Sequence, residues 1–471
     1  MTENRPHQPP RLPFVERGQL LCYLHETWAL TDWLFSSVVD RSLFLQRPDP
    51  LRNPLVFYLG HPAAFYLNKL RLAGLLEDGL DDELDELLAR GVDPAHRREL
   101  DGQGGWPSAE VVWRYRDEAR RLVEEVVERG PTTLEIDASS PYWAILMALE
   151  HERIHFETSS VLLRQAPLGA LRRPVGWCYA PSDGPSTSDA TTGRREALAS
   201  SAQSQTSSSA LDDPTQESDA SVHLPEQRVR VGRGAGAPIF GWDNEFGELE
   251  CAVTAFYASR TLVRNRDFLR FVEAGGYHEP RYWSAEGWRW RTEQRALAPR
   301  FWRQSADGVR YRAMFDELAL PLSWPVEVNH YEAEAYCAYR GDGWRLPSEA
   351  EQLALTQLTL PAAVDAIDVD RFNLNLRHGS PRASVVSGDE PLADAFGNVW
   401  QWLADDFYPL PGFRPHRLYE DFSAPYFGAA HKMMLGGSWA STGACASRFY
   451  RLWFRPYFYQ HAGFRLVRSA E

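Results

Sequence analysis

His151-Glu152-Arg153-Ile154-His155 is the part of this chain best suited to chemistry. Two imidazoles four residues apart on a helix project from one face, a ready-made bidentate chelate for a transition metal. The segment lies in a stretch, 143–165, whose Trp143, Ile145, Leu146, Leu149, Ile154, Val161 and Leu162 fall on or near a buried side. Glu150, Glu152, Arg153 and Arg164 are read as facing solvent or supporting a metal site. Glu152 completes the His-Glu-x-x-His pattern of zinc hydrolases, yet no third-ligand motif of those enzymes follows and the chain beyond dissolves into low complexity. The third ligand is therefore expected from another helix. His61 in Gly60-His61-Pro62 is the candidate, the tripeptide marking a helix start with Pro62 in its first turn. A capping role for His61 is the alternative, and His25 in Leu24-His25-Glu26 competes as ligand.

The chain that must position these residues has 471 of them, 44 % hydrophobic and 13 % aromatic, enough for two or three domains with sizeable cores. The first twenty residues lack the apolar stretch of a signal peptide, and no run of eighteen apolar residues could span a bilayer, so a cytoplasmic, membrane-free protein is expected. Five scattered cysteines without a Cys-x-x-Cys suggest neither a disulfide scaffold nor a zinc ribbon. A formal net charge of −14 without basic clusters argues against nucleic acid as a partner and favours a small-molecule substrate.

Helical signals fill 20–39, 61–76, 84–90, 109–129 and 142–164, separated by Pro, Gly and Asp breaks. Four long helices imply an antiparallel bundle over 1–180, a common housing for metal sites. Residues 181–224 turn Ser-, Thr- and Asp-rich and read as a disordered linker or insertion. From 225 to 471 short apolar stretches with many Trp, Tyr and Gly residues indicate an α+β domain. A strand is expected at 256–263 and helices at 265–274 and 331–339, with Ser348 capping a further helix that carries Glu351 at its third position.

The second domain carries five ordered motifs. They are Pro325-Val326-Glu327-Val328-Asn329 leading to Ala335-Tyr336-Cys337, Arg345-Leu346-Pro347-Ser348-Glu349-Ala350-Glu351, Gly397-Asn398-Val399-Trp400-Gln401-Trp402, Gly436-Gly437-Ser438-Trp439 and Gly463-Phe464-Arg465. Together they resemble the formylglycine-generating-enzyme (sulfatase-modifying factor) domain, which implies a C-type-lectin-like fold. The enzymatic branch of that family binds copper through two late cysteines; Cys445 has no near partner here, so formylglycine synthesis is not implied.

The first domain, with His61 and His151-x-x-x-His155-x-Glu157, resembles the DinB-like domain. The domain order is similar to that of the non-haem iron sulfoxide synthases of thiol-histidine biosynthesis. Arg47-Pro48-Asp49-Pro50-Leu51-Arg52-Asn53-Pro54-Leu55, Tyr58-Leu59-Gly60-His61 and the His151 segment resemble the ovothiol branch, and Ile154 stands where ergothioneine-branch enzymes often carry Gln.

The resemblance implies Fe(II) held by His61, His151 and His155, with cysteine, histidine and O₂ as substrates and 5-histidylcysteine sulfoxide as product. Alternatives are an ergothioneine-type synthase joining hercynine to cysteine or γ-glutamylcysteine, a DinB-like metal-dependent thiol transferase or hydrolase, and a non-catalytic binding protein. No Gly-rich nucleotide-binding segment is present, so later methylation is expected from a separate methyltransferase. Tyr419, chosen over Tyr408 and Tyr426 by its place between two motifs, is the expected proton or hydrogen-atom donor. Glu157 is the candidate for orienting an imidazole. Substrate carboxylates invite arginine, and Arg116, Arg120, Arg451 and Arg455, with Arg448 nearby, are the candidates.

Overall fold

The computed structural model describes residues 8–91, 93–94, 97–100, 104–182, 220–234, 236–360 and 371–470. Five helices form the first part: α1 (Arg17–Phe35), α2 (Leu55–Leu72), α3 (Asp82–Ala89), α4 (Ala109–Arg129) and α5 (Trp143–Gln165). α2 packs on α5, α4 and α3, while α1 packs on α5 and α4, so the four long helices close on one another. Local chemistry sets several of their ends. The Asp81 carboxylate accepts from the Glu83 and Leu84 amides at 3.1 and 3.0 Å to start α3, and Ser108 Oγ accepts from the Val111 amide at the start of α4.

α2 departs from the reading of the sequence. It begins at Leu55, so His61 lies nearly two turns inside and Pro62 interrupts the helical hydrogen-bond ladder instead of opening it. Every residue from Leu55 to Leu67 is buried. A helix wrapped on all sides shows no amphipathic edge, and its start is therefore hidden from periodicity. Among the described residues no helix is long and apolar enough to cross a membrane.

The second part is built on small sheets. One has the order Leu452–Phe454, Gly428–Leu435, Trp400–Phe407, Ala462–Gly463, with the outer pair Trp400–Phe407 and Ala462–Gly463 running parallel. Another sets Phe256–Ser259 between Val467–Ser469 and Ser221–Leu224. The last strand corrects the linker boundary, since 221–224 pairs in register with Phe256–Ser259; residues 183–219 of the expected linker lie outside the described residues. The expected strand 256–263 is shorter, ending at Ser259, and the expected helices occur as Asn265–Glu273 and His330–Arg340. Ser348 and Glu351 make the reciprocal cap foreseen, with Ser348 N–H to Glu351 Oε2 at 2.8 Å and Glu351 N–H to Ser348 Oγ at 3.2 Å.

The two parts meet along α5. Glu150, Glu157, Ser160 and Arg164 share the helix face turned to the second part, and each bonds across. Arg164 Nη1 donates to both oxygens of Glu327 at 2.7 and 2.8 Å, and Glu150 Oε2 accepts from the Ala444 amide at 2.7 Å. Glu150, Glu152, Arg153 and Arg164 are all buried, which corrects the reading of these four as solvent-facing. Gly443 makes the contact possible. Its φ of +60° suits glycine, and a β-carbon there would lie 2.6 Å from both Arg153 Cδ and Glu150 Oε2 and closer still to the Tyr23 hydroxyl.

Candidate metal centre

A second face of α5 sends His151, Ile154, His155 and Thr158 into a cavity of about 160 Å³, at the i, i+3, i+4, i+7 spacing of one helical stripe. α2 contributes Phe57, Tyr58 and His61 to the same cavity, and the second part closes it with Tyr419, Phe422, Tyr426, Tyr450 and the strand Leu452–Phe454. The imidazole centroids are 5.0 Å apart for His61 and His151, 4.5 Å for His61 and His155, and 4.4 Å for His151 and His155. One nitrogen from each lies within 4.8 Å of the others, within reach of a shared cation. His25 is not part of this group: it is exposed and pairs with Glu124 at 3.0 Å.

The rings are held in place by their surroundings. His61 Nδ1–H donates to the Leu88 carbonyl at 2.6 Å, which leaves the Nε2 lone pair free. That bond depends on α3 lying close to α2, and Gly60 allows it: a β-carbon at Gly60 would stand 2.8 Å from Leu88 Cδ1 and from Val112 Cγ1. Phe65 stacks on His151 with centroids 3.6 Å apart, and Phe57 stacks on His61 at 4.7 Å.

Burial lowers the proton affinity of all three rings, His61 to about 4 and the other two also well below the usual histidine range. For His155 the neighbouring His61 and Arg52 charges press in the same direction. At neutral pH the trio is uncharged, the form in which imidazole binds metal. The buried Nδ1 atoms of His151 and His155 have no hydrogen-bond partner among the described residues. Three neutral imidazoles with two orphaned ring nitrogens fit a borderline-soft divalent transition cation such as Fe(II) and leave further coordination positions to ligands from the cavity.

Tyr419 faces this trio. Its ring centroid is 6.1 Å from that of His151 and 5.1 Å from that of Phe65, while Lys69 Nζ sits 4.3 Å over the ring. Burial raises its phenol above the ordinary tyrosine range. The loop carrying it is tied to the first part, His416 Nε2 bonding the Ala138 carbonyl at 3.0 Å and Arg417 donating to the Ser139 carbonyl at 3.3 Å. Tyr426 also lines the cavity but stacks on Trp453 at 4.0 Å, and Tyr408 lies elsewhere beside Arg451.

The arginines expected at the substrate do not line the cavity. Arg116 is buried inside the helical part, bonded to Asp32 at 2.9 Å, Glu152 at 3.3 Å and the Leu59 carbonyl. Arg120 is on the surface with Glu124, four residues along its helix. Arg451 is sealed in the second part by a bidentate pair with Glu349 at 2.7 and 2.9 Å. Arg455 comes nearest, but its guanidinium is taken up by the cavity-lining Asp93 at 3.0 Å, which also meets His431 at 2.8 Å. Glu157 does not bond an imidazole either. Its carboxylate accepts from Trp400 Nε1 at 2.8 Å, Ser441 Oγ at 2.9 Å and Ser438 Oγ, joining the two parts.

Arg52 and Asp93 are cavity residues that sequence reasoning missed. Arg52 stands in the Arg47–Leu55 phrase, three residues before the all-buried helix, and that position was a usable signal; a single aspartate in a loop offers none. A second constellation, Ser160 Oγ to His461 Nε2 at 2.8 Å and His461 Nδ1 to Glu327 at 3.2 Å, has the order of a hydrolytic triad. All three side chains are sealed between the parts, and Ser160 also donates to the Glu157 carbonyl at 2.7 Å, so they join the domains and reach no substrate.

Comparison with known proteins matches residues 206–355 and 375–470 to the sulfatase-modifying factor enzyme 1-like domain and residues 23–159 to the DinB superfamily. The chain is 34 % identical over 243 residues to hercynine oxygenase of Mycobacterium tuberculosis, covering 48 % of this chain and 55 % of that one. It is 31 % identical over 253 residues to hercynine oxygenase of Mycolicibacterium smegmatis, covering 50 % and 58 %. Similarity to ergothioneine biosynthesis protein 1 of Neurospora crassa runs over 94 % of this chain at 23 % identity and covers 57 % of that protein. The chain thus spans about half the length of these relatives.

Proposed function

The chain belongs to the sulfatase-modifying factor enzyme 1-like domain family, here joined to a DinB superfamily domain, and on that premise we propose that it is an iron- and O₂-dependent sulfoxide synthase. The observation that carries the proposal is the neutral trio His61, His151 and His155, gathered within 4.8 Å at a cavity that both domains line. The reaction joins a thiol sulfur to an imidazole carbon: one thiol, one imidazole and one O₂ give one sulfoxide and one water. The S–H and ring C–H protons leave in the water, and O₂ takes up four electrons.

Iron, when bound by the three imidazoles, supplies the site where thiolate and O₂ meet. The remaining work belongs to the chain. Phe57 and Phe65 hold the imidazole planes, and Leu88 fixes the tautomer of His61. The aromatic wall from Phe422, Tyr450 and Trp453 excludes water from the reacting atoms. Tyr419 keeps a proton on its phenolic oxygen at neutral pH, facing the trio, and is the donor available to the reacting sulfur and oxygen.

The substrates proposed are cysteine and histidine, the pair of ovothiol synthesis. Ile154 puts an apolar side chain, not a hydrogen-bonding amide, against the cavity. A second reading, with hercynine as acceptor, is favoured by the aromatic lining, which suits a quaternary ammonium, and by the names of the relatives. Mass spectrometry of products from protein given cysteine, γ-glutamylcysteine, histidine and hercynine together decides between them. A cysteine–histidine sulfoxide supports the proposal, a hercynine product replaces the acceptor, and no coupled product removes the synthase reading.

A further inference from the structure

Among the described residues lining the cavity, Arg52 is the only arginine or lysine. It is 8 % exposed, and no carboxylate among the described residues lies within ion-pair distance of it. The contrast with the other arginines is chemical. Arg116, Arg120, Arg451 and Arg455 each have a carboxylate partner inside the protein, so their charge is already neutralised.

The surroundings of Arg52 are instead aromatic. Its guanidinium carbon lies 4.1 Å from the Phe458 ring centroid and 5.3 Å from that of Phe454. Ring faces and a hydrogen bond with the Tyr58 phenol offset part of the cost of a buried cation, but neither neutralises the guanidinium charge as an anion would. Its planar fork is matched by a carboxylate, which accepts two parallel N–H bonds. The loop of Asp49–Arg52 keeps the group in position, Arg52 N–H donating to the Asp49 carbonyl at 3.1 Å at the entry to α2.

From these observations we infer that Arg52 is the recognition group for the α-carboxylate of an amino-acid substrate bound at the His61–His151–His155 cavity. The inference rests on the sulfoxide-synthase reading for the identity of the ligands and goes beyond it in assigning the anchor. The carboxylate can come from the thiol donor or from the imidazole acceptor, and the chemistry of recognition is the same.

The test is anaerobic calorimetry on full-length protein loaded with Fe(II), titrated with cysteine, cysteamine, histidine and histamine. The wild-type arm needs no substitution: for the amino acid that Arg52 holds, the decarboxylated analogue should bind at least thirtyfold more weakly. Arg52→Gln should weaken that same amino acid by a similar factor while leaving its analogue within twofold, and Arg52→Lys should fall between. Whichever amino acid shows this pattern is the source of the carboxylate. Wild-type affinities unchanged by decarboxylation, or equal losses for amino acid and analogue in Arg52→Gln, would overturn the assignment with the synthase reading intact. Failure of wild-type protein to bind either amino acid would overturn both.

Discussion

The joint between the two domains should weaken in acid by an amount set at one carboxylate. Glu327 is buried, and burial alone would raise its proton affinity, but Arg164 with His461 and Tyr311 outweighs that and holds it at about 2, against 4.5 for the free side chain. A folded-state value below the unfolded one means the ionised carboxylate stabilises the fold fully above about pH 4.5 and loses that contribution as pH falls toward 2. Linkage gives a loss of about 1 kcal/mol by pH 3.5 and about 3 kcal/mol by pH 2. Urea denaturation of the wild type and Glu327→Gln across pH 7 to 2.5 isolates the effect, because a carboxamide does not titrate. The stability difference between them should be flat from pH 7 to 5.5 and then shift in favour of the variant. Parallel curves down to pH 2.5 would show that Glu327 is not held ionised by Arg164 and would refute the account of the joint.

Glu157→Ala strips the partner from Trp400, Ser438 and Ser441 and should cost about 4 kcal/mol, while metal content per folded molecule, read by elemental analysis, stays near that of the wild type. Normal stability with lost metal would return Glu157 to an imidazole-orienting role. Gly443→Ala forces an L side chain into φ +60° against Arg153 and Glu150 and should cost about 3 kcal/mol or more in thermal or chemical unfolding; an unperturbed protein would mean the domains do not dock at this turn. Tyr419→Phe should move products from the coupled sulfoxide toward simple oxidation of the thiol by tenfold or more, with little change in stability; an unchanged product ratio measured by mass spectrometry removes Tyr419 from the chemistry.

The histidine pair of α5 was legible because it is local. His151 and His155 are four residues apart on one helix, and that spacing alone puts them on one face. His61 was identified from Gly60-His61-Pro62, yet for a helix start that lies six residues earlier, because α2 is buried all round and carries no polar edge. Glu150, Glu157 and Arg164 recur every seven residues, a visible pattern whose meaning depended on a partner surface hundreds of residues away. The arginines failed for the same reason. Whether a guanidinium is spent on an internal carboxylate, as in Arg451 with Glu349, or left to face a cavity, as in Arg52, is decided by packing between distant segments, and residue type alone does not carry it.

Oxygen uptake by anaerobically purified, Fe(II)-loaded protein, with cysteine and histidine supplied singly and together, addresses the central reading most directly. The account predicts sustained consumption with both amino acids present, little with either alone, and none in His61→Ala. Retention of zinc in place of iron with no oxygen consumed under any combination would contradict it.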